Sequence, residues 1–241
     1  MPAAEPNTRL PTKRLCIKRR RHGIFQLVAI EEVIELLEQE YGRRDWEQEG
    51  EPVDVLIRTI LSQNTSDRNS GGAFDSLKAS FDNWEAVASA PVECIAQAIE
   101  SGGLFRIKAV RIKQLLQQIE EEQGHINLDS LKSQTMTEAE GYLMHLPGVG
   151  YKTARCVLLF SLGKPSLPVD THIFRVAKRL GLIDSRASIG KAHVLLQTQV
   201  PPSRAYQFHV HMIEHGRQIC RARQPYCSRC LLRVACPNLL Y

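Results

Sequence analysis

Apolar residues recur along this chain at three- and four-residue intervals, the period of a helix with one buried face. Leu27, Ile30, Val33, Ile34, Leu37 and Tyr41 form the first such stripe, over residues 27–41. A polar link, 42–52, comes next. Pro52 then stands at the tolerated first position of a second helix, whose Val53, Leu56, Ile57, Ile60 and Leu61 share a face. The same spacing predicts helices over 72–81, 84–88, 91–100, 108–123, 128–133 and 138–145. A turn at Gly148–Gly150 starts another, which runs to about Leu162. Asp170 can cap a helix from Thr171 to Leu180, and 191–200 and 205–220 complete the set. No segment alternates apolar and polar residues between turns, so the chain reads as all-α, with no internal repeat.

The 241 residues suffice for one large or two modest domains. No apolar run approaches the roughly 18 residues of a membrane span, and the basic N-terminus lacks the apolar stretch of a secretory signal. The expected location is the cytoplasm, at the nucleoid in a bacterium. Charge sharpens this picture through its distribution. The net charge is only +5, but it divides into +6 over residues 1–23, −12 over 24–140 and +11 over 141–241. A polarised chain of this kind suggests a polyanion facing its C-terminal part, although acids and bases that pair across the fold would give the same totals. Residues 1–23 read as a basic mobile tail.

The densest chemistry lies between Leu146 and Asp170. The run Leu146-Pro147-Gly148-Val149-Gly150-Tyr151-Lys152-Thr153-Ala154 ends one helix, turns on two glycines and starts another. Proline disfavours helical torsions in the residue before it, and glycine permits positive φ and close backbone approach. Exposed N–H groups at the new helix start would suit a DNA phosphate, so Gly148 and Gly150 are candidate DNA contacts. On Gly-x-Gly alone, an ordinary glycine turn is the simpler reading. Lys152 changes the balance. An ammonium at a helix N-terminus opposes the dipole, which favours the neutral amine that Schiff-base chemistry needs. Asp170, eighteen residues on, can cap a helix and also stabilise positive charge on a sugar ring. His172 reads as a supporting residue.

Seven cysteines are present; Cys94 and Cys156 lie in apolar helical patterns, as core thiols do. Cys220, Cys227, Cys230 and Cys236 instead crowd into seventeen residues, at intervals of six, two and five intervening residues. Structural zinc sites usually pair two short Cys-x-x-Cys knuckles, and only one is present, so a cubane iron–sulfur cluster fits better, with zinc left open. Arg221 and Arg223 lie between the first two ligands and suit phosphate contact, or simple solvation of the loop.

These elements together resemble the endonuclease III family, the bifunctional DNA glycosylase/AP lyases of the helix-hairpin-helix glycosylase superfamily. The resemblance runs from about Ile24 to the C-terminus. It rests on the run 146–154, on Val169-Asp170-Thr171-His172-Ile173-Phe174-Arg175-Val176 and on the cysteine quartet. It implies two helical domains flanking a DNA cleft. Residues 52–164 would form a six-helix barrel with the hairpin, and 24–51 plus 165–241 a domain holding a 4Fe–4S cluster. It also implies a monomer that flips a damaged base out of double-stranded DNA. Lys152 would be the nucleophile and Asp170 the catalytic aspartate. Asn64, where the family often has glutamine, would fill the gap left by the flipped base. Leu104 would wedge into the other strand, unless it is a core residue. Lys152 argues against the adenine-specific branch, which has glutamate where Thr59 stands, and against the mismatch-thymine branch, which usually has tyrosine at the lysine position. The expected activity is removal of oxidised pyrimidines followed by β-elimination. The alternatives are a monofunctional glycosylase and a non-enzymatic DNA-binding or redox protein on the same fold.

Overall fold

The computed structural model describes residues 29–238; the basic segment 1–23 and the start of the helix expected from Leu27 lie outside them. Among the described residues there are eleven α-helices and no strand. Helix α1 (Ile30–Tyr41) buries Ile30, Val33, Ile34 and Leu37 and ends at Gly42, whose φ of +75° suits glycine. Helix α2 (Pro52–Ser62) starts at its proline and buries eight of its residues. Helix α3 (Asp67–Ser80) begins five residues before its apolar stripe. Ser66 caps it by accepting from the Asn69 N–H at 3.3 Å, and that cap, not periodicity, sets its start. Helices α4 (Trp84–Ser89), α5 (Val92–Ala98) and α6 (Phe105–Gln123) come next. Helix α6 starts three residues earlier than its periodicity predicts, straight after a left-handed Leu104. The stretch 128–133, expected as a helix, forms only the short 3-10 turn Asp129–Lys132.

Helix α7 (Met136–His145) opens with a reciprocal capping box between Thr135 and Glu138. Periodicity carries helix α8 (Tyr151–Cys156) on to about Leu162, but it widens into a π-turn at Val157–Ser161. The polar link packs on this turn. The Trp46 indole donates to the Leu159 carbonyl at 2.6 Å, the Glu49 N–H to the Phe160 carbonyl at 2.9 Å, and the Ser161 hydroxyl to the Gly50 carbonyl at 2.7 Å. The link thus supplies partners to last-turn carbonyls that have none within the helix. Helices α9 (Thr171–Leu180), α10 (Ile189–Gln199) and α11 (Ala205–Gln218) complete the fold.

Buried apolar side chains fall into two clusters. One runs from Val53 to Leu158, on α2 to α8. The other joins α1 to Leu159, Leu167, Val169, α9 to α11 and Leu232. The chain leaves the second cluster after α1, builds the first, and returns through the π-turn. Arg155, only 5% exposed, helps fix the return. Its guanidinium pairs with Glu140 of α7 at 2.5 Å and donates to the His193 carbonyl of α10 at 3.0 Å.

Candidate active site

The hairpin between α7 and α8 gives Lys152 a rigid support. The Val149 N–H donates to the Leu146 carbonyl at 3.2 Å, and the Ala154 N–H to the Gly150 carbonyl at 3.0 Å. Gly148 has φ +76°, so the turn needs glycine for its conformation; a Cβ there would also displace the exposed Arg111 side chain, whose Cδ lies 2.9 Å away. Gly150 is extended and gives the N-cap of α8. Lys152 is the second residue of α8 and is half-buried.

Asp170 comes from the other side. Its Oδ1 accepts the Ile173 N–H at 2.8 Å, which caps α9 and fixes the carboxylate's direction. Lys152 and Asp170 act on the same two buried groups. The Cys156 thiol, one turn beyond Lys152, is pushed up to about 11, chiefly by burial; the Lys152 charge opposes the rise and that of Asp170 adds to it. His209 of α11 is drawn down to about 4, chiefly by burial, while Asp170 favours its charged form and Lys152 disfavours it. Its Nδ1 donates to the Pro168 carbonyl at 3.0 Å, so the neutral ring carries its free nitrogen at Nε2. Lys152 stands one turn before the buried Cys156 on α8, and Asp170 two residues after the Pro168 carbonyl that His209 holds, so both charges reach a neutral thiol and a neutral imidazole. A site of this kind can take a nucleophilic amine to an electron-poor carbon while the carboxylate steadies positive charge.

Further residues close the site. Phe160 stacks edge-on to His209 at 5.1 Å and to Tyr206 at 6.0 Å. The Tyr206 hydroxyl reaches Glu49 at 3.5 Å, and burial raises the Glu49 carboxyl above its ordinary value. Neither Glu49 nor His209 announces itself in the sequence. Glu49 lies in an aperiodic polar stretch, and His209 shares its helix with two other histidines and a tyrosine.

The remaining candidates sit around the rim. Asn64 is exposed at φ +52°, and Leu104 is 54% exposed at φ +48°, which excludes a core role for it. Gln63 ties the Asn64 loop to the hairpin by donating to the Gly148 carbonyl and to the Thr153 hydroxyl, each at 3.3 Å. His172 supports, as expected: its Nδ1 meets Arg175 at 3.2 Å, and its Cβ packs against Gly216 of α11.

Cys220, Cys227, Cys230 and Cys236 line one cavity with Val176, Leu180 and His215. Among the described residues, no three His, Cys, Asp or Glu side chains converge on a single ion. One tetrahedral zinc, at about 2.3 Å from each sulfur, would require such convergence. Four sulfurs around a shared space suit a larger group instead. Burial pushes the Cys230 thiol up to about 11, with the other three cysteines adding to the rise, so the quartet is poorly suited to remaining as four bare thiolates. Arg179 donates to Cys220 Sγ at 3.3 Å, as a second layer around such a group would. Arg221 stacks on Tyr226 at 4.7 Å and donates to its hydroxyl at 3.0 Å; Arg223 is exposed nearby.

The profile of the HhH-GPD superfamily of base excision DNA repair proteins matches residues 57–202. Endonuclease III of Thermotoga maritima is 35% identical over 188 residues, 78% of this chain and 84% of its own length. The chain belongs to the endonuclease III family. An Arabidopsis thaliana protein named as a DNA glycosylase is 38% identical over 186 residues, and the match spans 61% of that relative's length. The solved non-covalent endonuclease III–DNA complex shares the fold with a TM-score of 0.76 at 28% identity, covering 87% of this chain and 94% of that one. Membership of this family makes the protein an enzyme of base excision DNA repair with glycosylase activity. No described helix is long and apolar enough to cross a membrane.

Proposed function

We propose that this protein removes oxidised pyrimidines from duplex DNA and then cleaves the abasic site through a Schiff base on Lys152. The observation that carries the proposal is that Lys152, early in α8, and Asp170, capping α9, both bear electrostatically on the buried Cys156 and His209. The Lys152 amine attacks C1′ of the flipped nucleotide. The N-glycosidic bond breaks and its electron pair and a proton leave with the base. Asp170 steadies the cationic sugar as that bond breaks. Ring opening gives an imine between Lys152 and C1′, and loss of a C2′ proton expels the 3′ phosphate. Hydrolysis of the imine returns the amine.

Gly148 and Gly150 support this reading as a turn that admits a phosphate, and Asn64 and Leu104 as two exposed tips beside the site. Arg221 and Arg223 are further phosphate contacts on the basic C-terminal part. The cysteine cavity fits a 4Fe–4S cluster held by Cys220, Cys227, Cys230 and Cys236. Such a group would pin the loop 220–236 and present its arginines. Its characteristic visible absorption distinguishes it from zinc.

Borohydride should trap a covalent enzyme–DNA adduct on duplexes carrying thymine glycol or dihydrouracil, and Lys152→Ala should abolish the adduct. Trapping that persists in Lys152→Ala sinks the nucleophile assignment. Base release that leaves intact, alkali-labile abasic sites would instead identify a monofunctional glycosylase.

A further inference from the structure

Lys108 is the least expected residue of the first core. It is a charged side chain only 2% exposed, one turn into α6. Its ammonium donates three hydrogen bonds of 2.7 Å each, to the Leu61 carbonyl, the Thr65 hydroxyl and the Gly102 carbonyl. All three donors are used, and none of these partners is a carboxylate. An ammonium withdrawn from water without a counter-charge is costly, so three fixed oxygens are the minimum that retains it. Burial accordingly lowers its proton affinity.

The three oxygens belong to two separate loops. Leu61 is in the last turn of α2, and Thr65 lies in the turn after it. Gly102 ends the 3-10 turn before α6. The Thr65 hydroxyl also donates to the Gly102 carbonyl, so the loops are joined twice at one point. A single residue beyond this point on one side stands Asn64, and two residues beyond it on the other stands Leu104. These are two of the three non-glycine residues with positive φ among the described residues. Asparagine tolerates that region, but leucine is strained there. The strain persists because the backbone on either side is held.

A lysine that merely caps the last carbonyls of α2 would need only one of these contacts, and water could replace it. We propose that Lys108 is a positioning residue that fixes the two exposed tips at one spacing, so that Asn64 and Leu104 enter the two strands together. Neither tip can shift without breaking bonds to the same nitrogen. Extrusion of the base and displacement of its partner then become one event. This inference rests on the glycosylase reading above and assigns no part in the chemistry to Lys108.

The test compares two activities of the cluster-loaded full chain. Excision of dihydrouracil from a duplex requires a stacked base to be extruded. Strand cleavage at a preformed abasic site starts with no base to extrude, and extrusion costs least where the base is already lost. In single-turnover assays, Lys108→Met should slow excision by about 30-fold and slow cleavage of the abasic duplex far less, by roughly threefold. Fluorescence of 2-aminopurine placed opposite the lesion should lose its binding-induced rise. Thr65→Val removes the hydroxyl that accepts from Lys108 and donates to the Gly102 carbonyl, leaves the other two Lys108 bonds in place, and should shift the same ratio by a smaller factor. It keeps the test alive if Lys108→Met does not fold. In an Asn64→Gly, Leu104→Ala background, Lys108→Met should add little, because the tips through which it acts are gone.

Equal losses in both activities, or full additivity with the tip substitutions, would overturn the positioning role and leave Lys108 a stability residue. Wild-type protein that excises no base from any duplex overturns the functional reading first, and this inference with it. A wild-type enzyme whose variants keep its activity ratio overturns the inference alone.

Discussion

The two cores of this protein are built from different materials. The first, from Val53 to Leu158, is aliphatic but for Phe74 and holds no buried histidine; its one deeply buried lysine has three neutral oxygen partners. The second is of similar architecture, yet His193, His209, His211 and His215 are all buried on α10 and α11 within or beside it. Burial draws the proton affinity of each of these histidines down, to about 4 for His193, His209 and His215. The first unit therefore rests on apolar packing, which is nearly indifferent to pH and to metal. The second rests on keeping imidazoles neutral and on whatever fills its cysteine cavity. The Lys152 hairpin is anchored in the first and the Asp170 cap in the second, so the candidate site draws on both kinds of stability.

The largest test of this contrast is loss of one cavity cysteine. If the cavity holds the proposed cluster, Cys230→Ser should cost the second unit several kcal/mol, on the rough scale on which ligation of a metal group folds small domains. Hydrogen exchange should then show α9 to α11 losing protection while α2 to α6 keep theirs. Equal protection in both units after ligand loss would mean that the cavity contributes nothing to the fold.

Much of the first unit is legible in the sequence, and less of the second. The stripe Val53, Leu56, Ile57, Ile60 and Leu61 points to a buried face because an aliphatic core selects for periodicity alone, and all five are buried. Asp170 as the cap of α9 is legible for a local reason, since a capping carboxylate and its N–H are three residues apart. The π-turn is not. It is held by Trp46, Glu49 and Gly50, whose polar groups meet residues about 110 positions away, and periodicity holds no information on such pairings. Lys108 is hidden for the same reason. In the sequence it is one more cation opening an amphipathic helix, and only the fold brings Leu61, Thr65 and Gly102 to it. The start of α3 escapes periodicity differently: a serine cap can begin a helix whose first turn buries nothing but Ser70.

Acid sharpens the contrast next. His193 and His209 have folded values of about 4 against an ordinary 6.5, so both are neutral in the native state and take up protons on unfolding. Their contribution is complete above about pH 6.5 and is lost as pH falls toward 4, at up to roughly 1.4 kcal/mol per pH unit for each. Urea melts followed at α9 to α11 should weaken between pH 7 and pH 5, and those followed at α2 to α6 should not. The Nδ1 of His193 is buried without a partner, so His193→Leu should flatten the slope without a large loss at pH 7. An unchanged slope would remove His193 from the account.

The smallest effect is expected where the two units meet at the surface. Arg217 of α11 pairs with Asp67 of α3 at 2.6 Å, but the two side chains are 51% and 73% exposed. An exposed pair of this kind contributes well under about 1 kcal/mol and is screened by salt. The buried Arg155, pairing with Glu140 and the His193 carbonyl, has no such access to water. Asp67→Asn should therefore leave the melting temperature within about a degree and leave the protection of α9 to α11 unchanged at low and high salt. It also frees the Arg217 guanidinium beside a loop that carries Asn64, so nonspecific duplex affinity should rise slightly, with a steeper salt dependence by less than about one counterion. A large loss of stability on Asp67→Asn would show that surface charge couples the units. The buried Arg155 contacts would then be too weak to hold the hairpin against the second core on their own.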